Sequence, residues 1–309
     1  MQRTIRIGTR ESQLAVWQAS QVKEQLAAQD LPAELVLIRS EGDNDLHTPL
    51  YEMGVQGIFT RSLDQALLNH AIDIAVHSMK DVPVELPMGV AQAAVLKRGP
   101  VQDLLVFKTD GHFLREENRV ARIATGSLRR KAQWLHKYPR HEVYNLRGNI
   151  NTRLKKLETG EWDAAIFALA GLERIGIKPP NSMALDWMLP APAQGAILVV
   201  CREEDEYCLE SCRLLNDPAS DLCTKIEREF LKTLLGGCST PISALAEIEE
   251  EELFFRGNIL SPDGRKKAEV EKVLPVELAT FTGKTAAEEL LERGGRQIAE
   301  EIDYAAKHG

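Results

Sequence analysis

The chain has 309 residues, a formal net charge of −8 and a hydrophobic content of 44%, which suits two or three domains with separate cores. The acidic balance argues against a nucleic-acid surface, which needs a broad basic patch. No uncharged apolar run approaches the roughly 20 residues that cross a bilayer, and the first residues show no apolar signal region, so we expect a cytoplasmic protein.

The first two-thirds of the chain predicts strands alternating with helices, the pattern of an α/β sheet with right-handed crossovers. In the first unit we expect strands at 4–8, 34–39 and 72–76, and helices at 12–28 and from Thr60. A second unit repeats the pattern, with strands at 120–125, 142–146 and 164–169 and helices at 127–137, 149–157 and 171–175. The apolar run 196–201 predicts a late strand that could return to the first unit.

The last third predicts a small α+β unit. Residues 205–235 are mostly helical, with a break at 216–218. Alternating strands follow at 253–260 and 267–274, joined by a turn, and a terminal helix is expected at 285–306.

Both α/β units show the same pattern after a strand: Thr9-Arg10-Glu11-Ser12 in one and Thr125-Gly126-Ser127-Leu128-Arg129-Arg130 in the other. Ligands of such sheets bind outside the carboxyl ends of strands, where helix N-termini present free N–H groups. Guanidinium forks, here and at Arg147, Arg153 and Arg174, match carboxylate or phosphate oxygens. The sequence therefore predicts a cleft for a multiply anionic ligand, although Ser12 and Ser127 can equally be simple helix caps.

The segment 77–83, His-Ser-Met-Lys-Asp-Val-Pro, follows the predicted strand 72–76, where this architecture places active sites. Asp81 can exchange a proton or stabilise a developing cation. The alternative is that Asp81 caps a turn and Lys80 is solvated. His77 can be a base or a buried structural histidine, and the structural reading is the commoner one.

Five cysteines, an odd number, argue against a disulfide framework. Cys208 and Cys212 share a helix face and resemble half a metal site, but no further ligand lies nearby in the sequence, so we interpret both as structural and expect no metal. Cys238 lies in a Gly-Gly-Cys-Ser-Thr-Pro loop that can expose its thiol. It is either a reactive cysteine or a structural one in a turn.

Taken together, six motifs resemble the porphobilinogen deaminase family, also called hydroxymethylbilane synthases. They stand in the family's order across nearly the whole chain. They are residues 77–83, 127–130, 146–149 with 152–153, 170–174, 193–196 and 235–238.

The resemblance implies a transferase of porphyrin and heme biosynthesis. Such an enzyme joins four porphobilinogen units head to tail with loss of ammonia, and then releases the linear tetrapyrrole by hydrolysis. A dipyrromethane cofactor serves as the primer and is held by a thioether to Cys238. The implied partners are porphobilinogen and its oligomers, with no nucleic acid or membrane, and the implied oligomeric state is a monomer.

The resemblance also implies a fold of two α/β domains of periplasmic-binding-protein-like topology with a cleft between them, plus a small α+β C-terminal domain that carries the cysteine. The implied boundaries are 1–97 plus 196–214, 98–195 and 215–309. It makes Asp81 the catalytic carboxylate. The implied cofactor-binding residues are Cys238, Arg129, Arg130, Ser127, Lys80, Ser78 and Arg147. The implied substrate-binding residues are Arg10, Ser12, Arg147, Arg153 and Arg174.

One departure from the family's pattern lies in the segment 52–59, which is expected to close over the site. The family usually has lysine where this chain has Gln56. We still expect activity, because Asp81 and Cys238 are present.

Two other classes of protein fit parts of the sequence. A solute-binding protein for a carboxylated or phosphorylated ligand suits two α/β units with a cleft, but not the third unit with its cysteine loop. A nucleic-acid-binding module could use residues 127–130, but the net charge of −8 disfavours it.

Overall fold

The computed structural model describes residues 3–39, 60–116, 118–234 and 240–308. These residues form two five-stranded sheets and one three-stranded sheet. The strands are β1 (Ile5–Thr9), β2 (Ala33–Leu37), β3 (Ile74–Ser78), β4 (Val90–Val95), β5 (Asp103–Phe107), β6 (Arg122–Ala124), β7 (Glu142–Tyr144), β8 (Ala164–Ala168), β9 (Ser182–Ala184), β10 (Ile197–Arg202), β11 (Ile242–Glu249), β12 (Glu252–Leu260) and β13 (Lys267–Pro275). The α-helices are α1 (Gln13–Ala27), α2 (Arg61–Leu68), α3 (Leu128–Lys137), α4 (Ile150–Thr159), α5 (Leu169–Arg174), α6 (Glu206–Arg213), α7 (Pro218–Leu234), α8 (Thr282–Leu290) and α9 (Arg296–His308).

The first sheet has the strand order β2-β1-β3-β10-β4 and is buried on both faces. Alternation along β3 explains this burial, because successive side chains point to opposite faces. Ile74 and Val76 pack with α1 and α6, whereas Ala75 packs on the other side with α2.

The second sheet repeats this arrangement, with the order β7-β6-β8-β5-β9. In both sheets three neighbouring strands are parallel, and the fourth strand runs antiparallel. That fourth strand follows a crossing from the other unit: β5 enters after residues 96–102, and β10 returns after residues 185–196. The crossings touch at Gly195 (φ +87°), where a Cβ would lie 2.6 Å from the Gly99 carbonyl oxygen.

The third unit is the antiparallel sheet β11-β12-β13 packed against α7 and α8. Its core is the largest apolar cluster of the described residues and includes Phe230 and Phe255, whose ring centroids lie 5.2 Å apart. The predicted fold class, two α/β units and a small α+β unit, is confirmed. The domain boundaries stay a prediction.

Several predicted elements need correction. The α/β pattern did not indicate that the two large sheets are mixed, with β10 and β5 inserted antiparallel. Strand β3 lies two residues later than expected, since His77 and Ser78 pair with Leu198 and Ile197 of β10. The terminal helix is divided, with a break at 291–295 that includes Gly294 at φ +100°. Strands β4, β5, β9 and β11 were not predicted.

Candidate active site

A cleft of about 520 Å³ lies between the two α/β units. The carboxyl ends of β1 and β3 reach it from one side, and those of β6, β7 and β8 reach it from the other. All the described residues that the sequence nominated line it: Arg10, Ser12, Ser78, Lys80, Asp81, Ser127, Arg129, Arg130, Arg147, Arg153 and Arg174. We call the six arginines of this set the cleft arginines.

Three helix N-termini open onto the cleft, and each has a side-chain cap. Ser12 Oγ accepts a hydrogen bond from the Ala15 amide at 3.3 Å, and Ser127 Oγ accepts one from the Arg130 amide at 3.4 Å. Asn149 caps α4 in the same way. The two serines therefore cap helices and line the cleft at once. The positive ends of α1, α3 and α4 add to the attraction for anions.

Beneath the cleft, one carboxylate fixes two of the cleft arginines. Asp103 is fully buried and accepts hydrogen bonds from Nη2 of Arg129 and from Nη2 of Arg130, both at 2.7 Å. Burial alone would raise the pKa of Asp103, but the two guanidinium charges outweigh it and hold this pKa well below its usual range. Asp103 also accepts a bond of 2.9 Å from Gln194 Nε2. Gln194 in turn accepts one of 3.2 Å from Lys80 Nζ.

Two further cleft arginines are held by backbone oxygens. Arg153 Nε donates to the Gly148 carbonyl at 2.6 Å, and Arg174 Nη2 donates to the Gly195 carbonyl at 2.5 Å. The Arg174 guanidinium also lies over the Trp17 ring, 5.7 Å from its centroid. Neutral acceptors orient these cations without cancelling their charge.

Positive charge therefore exceeds negative charge in the cleft. Among the described residues, seven basic side chains line it, namely Lys80 and the cleft arginines, against two acidic ones, Glu11 and Asp81. Burial, together with neighbouring cations, lowers the pKa of Lys80 to about 8 and that of Arg153 to about 10. Burial lowers the pKa of Arg174 to about 10. Bound anions would offset the burial and mutual repulsion of these cations, so the electrostatics favour a ligand with several carboxylates.

Asp81 ends a short 3₁₀ turn, Met79–Asp81, directly after β3, and its side chain is exposed to the cleft. Ser78 also lines the cleft, but its hydroxyl is bonded to Gln18 of α1 at 2.9 Å. His77 is buried. Its burial and the nearby Arg10 charge lower its pKa to about 4, so it is neutral at neutral pH, as a structural histidine would be.

Cys238 and the segment 52–59 with Gln56 lie outside the described residues. Thr240, two positions after Cys238, lines the cleft. The four described cysteines are unpaired and buried, and burial raises the pKa of Cys208 and Cys223 to about 12. No cluster of three metal-ligating side chains occurs among the described residues. Within the same ranges, no helix combines the length and apolar character that crossing a membrane requires.

A second, more open cavity of about 490 Å³ lies elsewhere on the first unit. Its arginines Arg3, Arg6 and Arg202 are bonded to the carboxylates of Asp73 and Asp205. Because these charges already compensate one another, the cavity is a poor candidate for an anion site.

Comparison with known proteins assigns the family. A model described as "Porphobilinogen deaminase, dipyromethane cofactor binding domain" matches residues 5–210, and the model of the family's C-terminal domain matches residues 221–292. The chain belongs to the porphobilinogen deaminase family. A porphobilinogen deaminase of Pelobacter propionicus is 39% identical over 97% of this chain and 97% of its own length. The chloroplastic porphobilinogen deaminase of Oryza sativa is 40% identical over 94% of this chain and 84% of its own.

Similarity to solved structures is weaker. The methionine-binding protein MetQ covers 68% of this chain with 88% of its own, at 12% identity and a TM-score of 0.45. The GluR0 ligand-binding core covers 69% of this chain with 90% of its own, at 11% identity and a TM-score of 0.40. At these scores the similarity assigns neither ligand nor activity. Family membership favours the enzyme over the solute-binding alternative.

The described part of the cleft fits the cofactor that the family model names. The cations are in excess, and the buried Nε atoms of Arg129 and Arg130 have no hydrogen-bond partner among the described residues. A ligand that brings carboxylates into this cleft supplies the missing charge.

Sequence reasoning missed two supports of the site. Nothing local marks Asp103, which simply begins an apolar strand, and Gln194 was noticed only within a family motif.

Proposed function

We propose that this chain is a hydroxymethylbilane synthase, which condenses four porphobilinogen units and releases a linear tetrapyrrole. The observation that carries the proposal is the convergence of Asp81 and the cleft arginines on one cavity in a member of this family. Each cycle breaks the C–N bond of the substrate's aminomethyl group, releases ammonia and forms a C–C bond between pyrroles.

The cleft arginines and Lys80 bind and orient the substrate's carboxylates. The growing chain gains two carboxylates with each unit, and the excess of basic side chains in the cleft suits this accumulation. The guanidiniums of Arg129 and Arg130 are held in fixed orientations by Asp103, so they do not have to be ordered when a ligand binds.

Asp81 is the proposed catalytic acid. It protonates the leaving amine, and as a carboxylate it then faces the methylene-pyrrole cation of the substrate and the pyrrole N–H groups.

The dipyrromethane cofactor supplies, when bound, the pyrrole carbon to which the first substrate unit is joined. We propose Cys238 as its thioether anchor. Two features support this: α7 ends at Leu234, four residues before Cys238, and Thr240 lines the cleft two residues after it. The other proposed contacts are Ser78, Lys80, Ser127, Arg129, Arg130 and Arg147 for the cofactor, and Arg10, Ser12, Arg147, Arg153 and Arg174 for the substrate.

Several further features belong to the same proposal: a cytoplasmic monomer that binds neither nucleic acid nor membrane, and three domains at 1–97 plus 196–214, 98–195 and 215–309. The sheets support these boundaries, because β10 joins the first sheet and the crossings lie at 96–102 and 185–196.

The test of the catalytic assignment is turnover by Asp81→Asn. We expect production of the tetrapyrrole to fall by about 10²- to 10⁴-fold, the usual contribution of general acid–base catalysis, with the protein still folded. Glu85→Gln, an exposed carboxylate four residues later, is the matched control and should keep normal turnover. Turnover by Asp81→Asn within a factor of three of the control would exclude Asp81 as the catalytic acid.

A further inference from the structure

Arg228 reaches from α7 of the third unit to the turn that carries Asp81. Its Nη1 donates to the Val82 carbonyl at 3.0 Å and to the Met79 carbonyl at 3.4 Å, and its Nη2 donates to the Pro83 carbonyl at 2.6 Å. These acceptors lie on both sides of Asp81 in the sequence. One guanidinium thus binds three backbone carbonyls that flank the proposed acid.

The turn is anchored in the first unit by the buried side chains of Met79 and Val82, and the Met79 amide donates to the Ala196 carbonyl at 3.1 Å. It is a three-residue 3₁₀ turn closed by a hydrogen bond of 3.1 Å from the Val82 amide to the Met79 carbonyl. Asp81 itself is exposed, so the position of its carboxylate follows the position of this backbone. Two other contacts tie the segment to the third unit: Val84 packs against its core, and Glu85 pairs with Lys232 at 3.0 Å.

The helix that presents Arg228 is also the helix that leads to the cysteine loop. Helix α7 ends at Leu234, and Cys238 follows four residues later. The Arg228 contact therefore joins the Asp81 turn of the first unit to the element from which the proposed anchor continues.

We infer that Arg228 is a positioning residue for the reaction: it holds the Asp81 turn in register with α7 and so fixes the position of the acid in the cleft. The inference rests on the proposed function. A displacement of about 1 Å at a reacting group can lower the rate roughly 10²-fold. Loss of the Arg228 contact should therefore affect turnover more than substrate binding. Lysine cannot replace it fully, because an ammonium is a point donor without the planar fork.

The variants Arg228→Met, Arg228→Lys and Lys232→Met separate this role from general packing. For Arg228→Met we expect kcat to fall about 10- to 100-fold while KM stays within about threefold. Arg228→Lys should give an intermediate kcat. Lys232→Met removes another cation from the same helix and breaks its contact with the same segment, but it should change kcat less than about twofold because that pair is exposed.

A double-mutant cycle with Asp81→Asn tests whether Arg228 acts through Asp81. Single-turnover rates of Asp81→Asn and of Asp81→Asn/Arg228→Met should agree within about threefold, whereas independent effects would multiply. A second readout does not depend on activity. Hydrogen exchange of the Val82 amide should speed up at least about tenfold in Arg228→Met and remain normal in Lys232→Met.

The outcomes are distinguishable. Failure of the wild-type protein to form the tetrapyrrole would overturn the proposed function itself. If the wild type and Lys232→Met turn over normally, an unchanged kcat in Arg228→Met, or multiplicative effects in the cycle, would overturn the positioning role alone. Should Arg228→Met not fold, Arg228→Lys with a normal melting temperature decides the question: a kcat at least about threefold lower supports the inference, and an unchanged kcat contradicts it.

Discussion

Asp103→Asn is the substitution whose effect on folding follows most directly from the structure. The carboxylate is fully buried and accepts hydrogen bonds of 2.7 Å from Arg129 and Arg130 and of 2.9 Å from Gln194. Asparagine has nearly the same shape but no charge, and its amide nitrogen cannot accept a bond from a guanidinium. Two guanidiniums that are themselves buried would then lose their shared counter-ion.

The size of the effect can be worked out in two ways. Removing one partner of a buried ion pair costs about 3–5 kcal/mol, because it leaves an uncompensated charge away from water. Counting instead two hydrogen bonds to charged groups, at about 1.5–3 kcal/mol each, gives about 3–6 kcal/mol. The two estimates overlap, and we expect the free energy of unfolding to fall by about 3–5 kcal/mol.

Urea denaturation measures this quantity. The matched control is Glu161→Gln, in the same unit, which breaks a 3.0 Å contact with Arg122 in which both side chains are exposed. The control should stay within about 0.5 kcal/mol of the wild type, as exposed pairs do. If Asp103→Asn also lost less than about 1 kcal/mol, the argument that this carboxylate organises the arginine cluster would be refuted.

Three further predictions concern pH and the crossings between the units. Burial alone would raise the pKa values of Asp73 and Asp103, but neighbouring arginines outweigh it and hold both well below the usual value of about 3.9. The stability that these two ionised carboxylates give the fold is therefore present above that pH and lost below it. The melting temperature of the wild type should drop as pH falls from about 5 to 3, and that of Asp103→Asn should drop less steeply over the same range. The pKa of Lys80 is lowered to about 8, so kcat/KM should decline as pH rises through 8 and its ammonium is lost; Lys80→Met should lack this inflection in a pH–rate profile. Glu227 is fully buried, pairs with Arg98 at 2.6 Å and accepts hydrogen bonds from the amides of Ala193 and Ala246. Glu227→Gln should therefore lower the free energy of unfolding, measured in urea, by about 3–5 kcal/mol. A loss below about 1 kcal/mol would contradict the pairing argument.

Local sequence was sufficient where local chemistry determines structure. Ser12 and Ser127 were recognised as helix starts because each capping hydroxyl and the amide whose hydrogen bond it accepts lie within four consecutive residues. The arginines near those starts reach the cleft because carboxyl ends of parallel strands share one edge.

Features that depend on distant partners could not be derived in this way. The bounds of β3 were misplaced because His77 and Ser78 pair with a strand about 120 residues later. Asp103 gave no recognisable signal, since its partners lie 26, 27 and 91 residues away. Strand β5 is antiparallel because the chain that crosses from the first unit pairs with β8. A short apolar run does not specify its pairing partner.

The intact mass of the purified protein tests the central claim most directly. The account predicts that the wild type and Cys223→Ala, a buried cysteine on α7, are heavier than their sequences by two linked pyrrole units, and that Cys238→Ser has its sequence mass. Extra mass on Cys238→Ser, or a wild type at the bare sequence mass after incubation with porphobilinogen, would contradict the account.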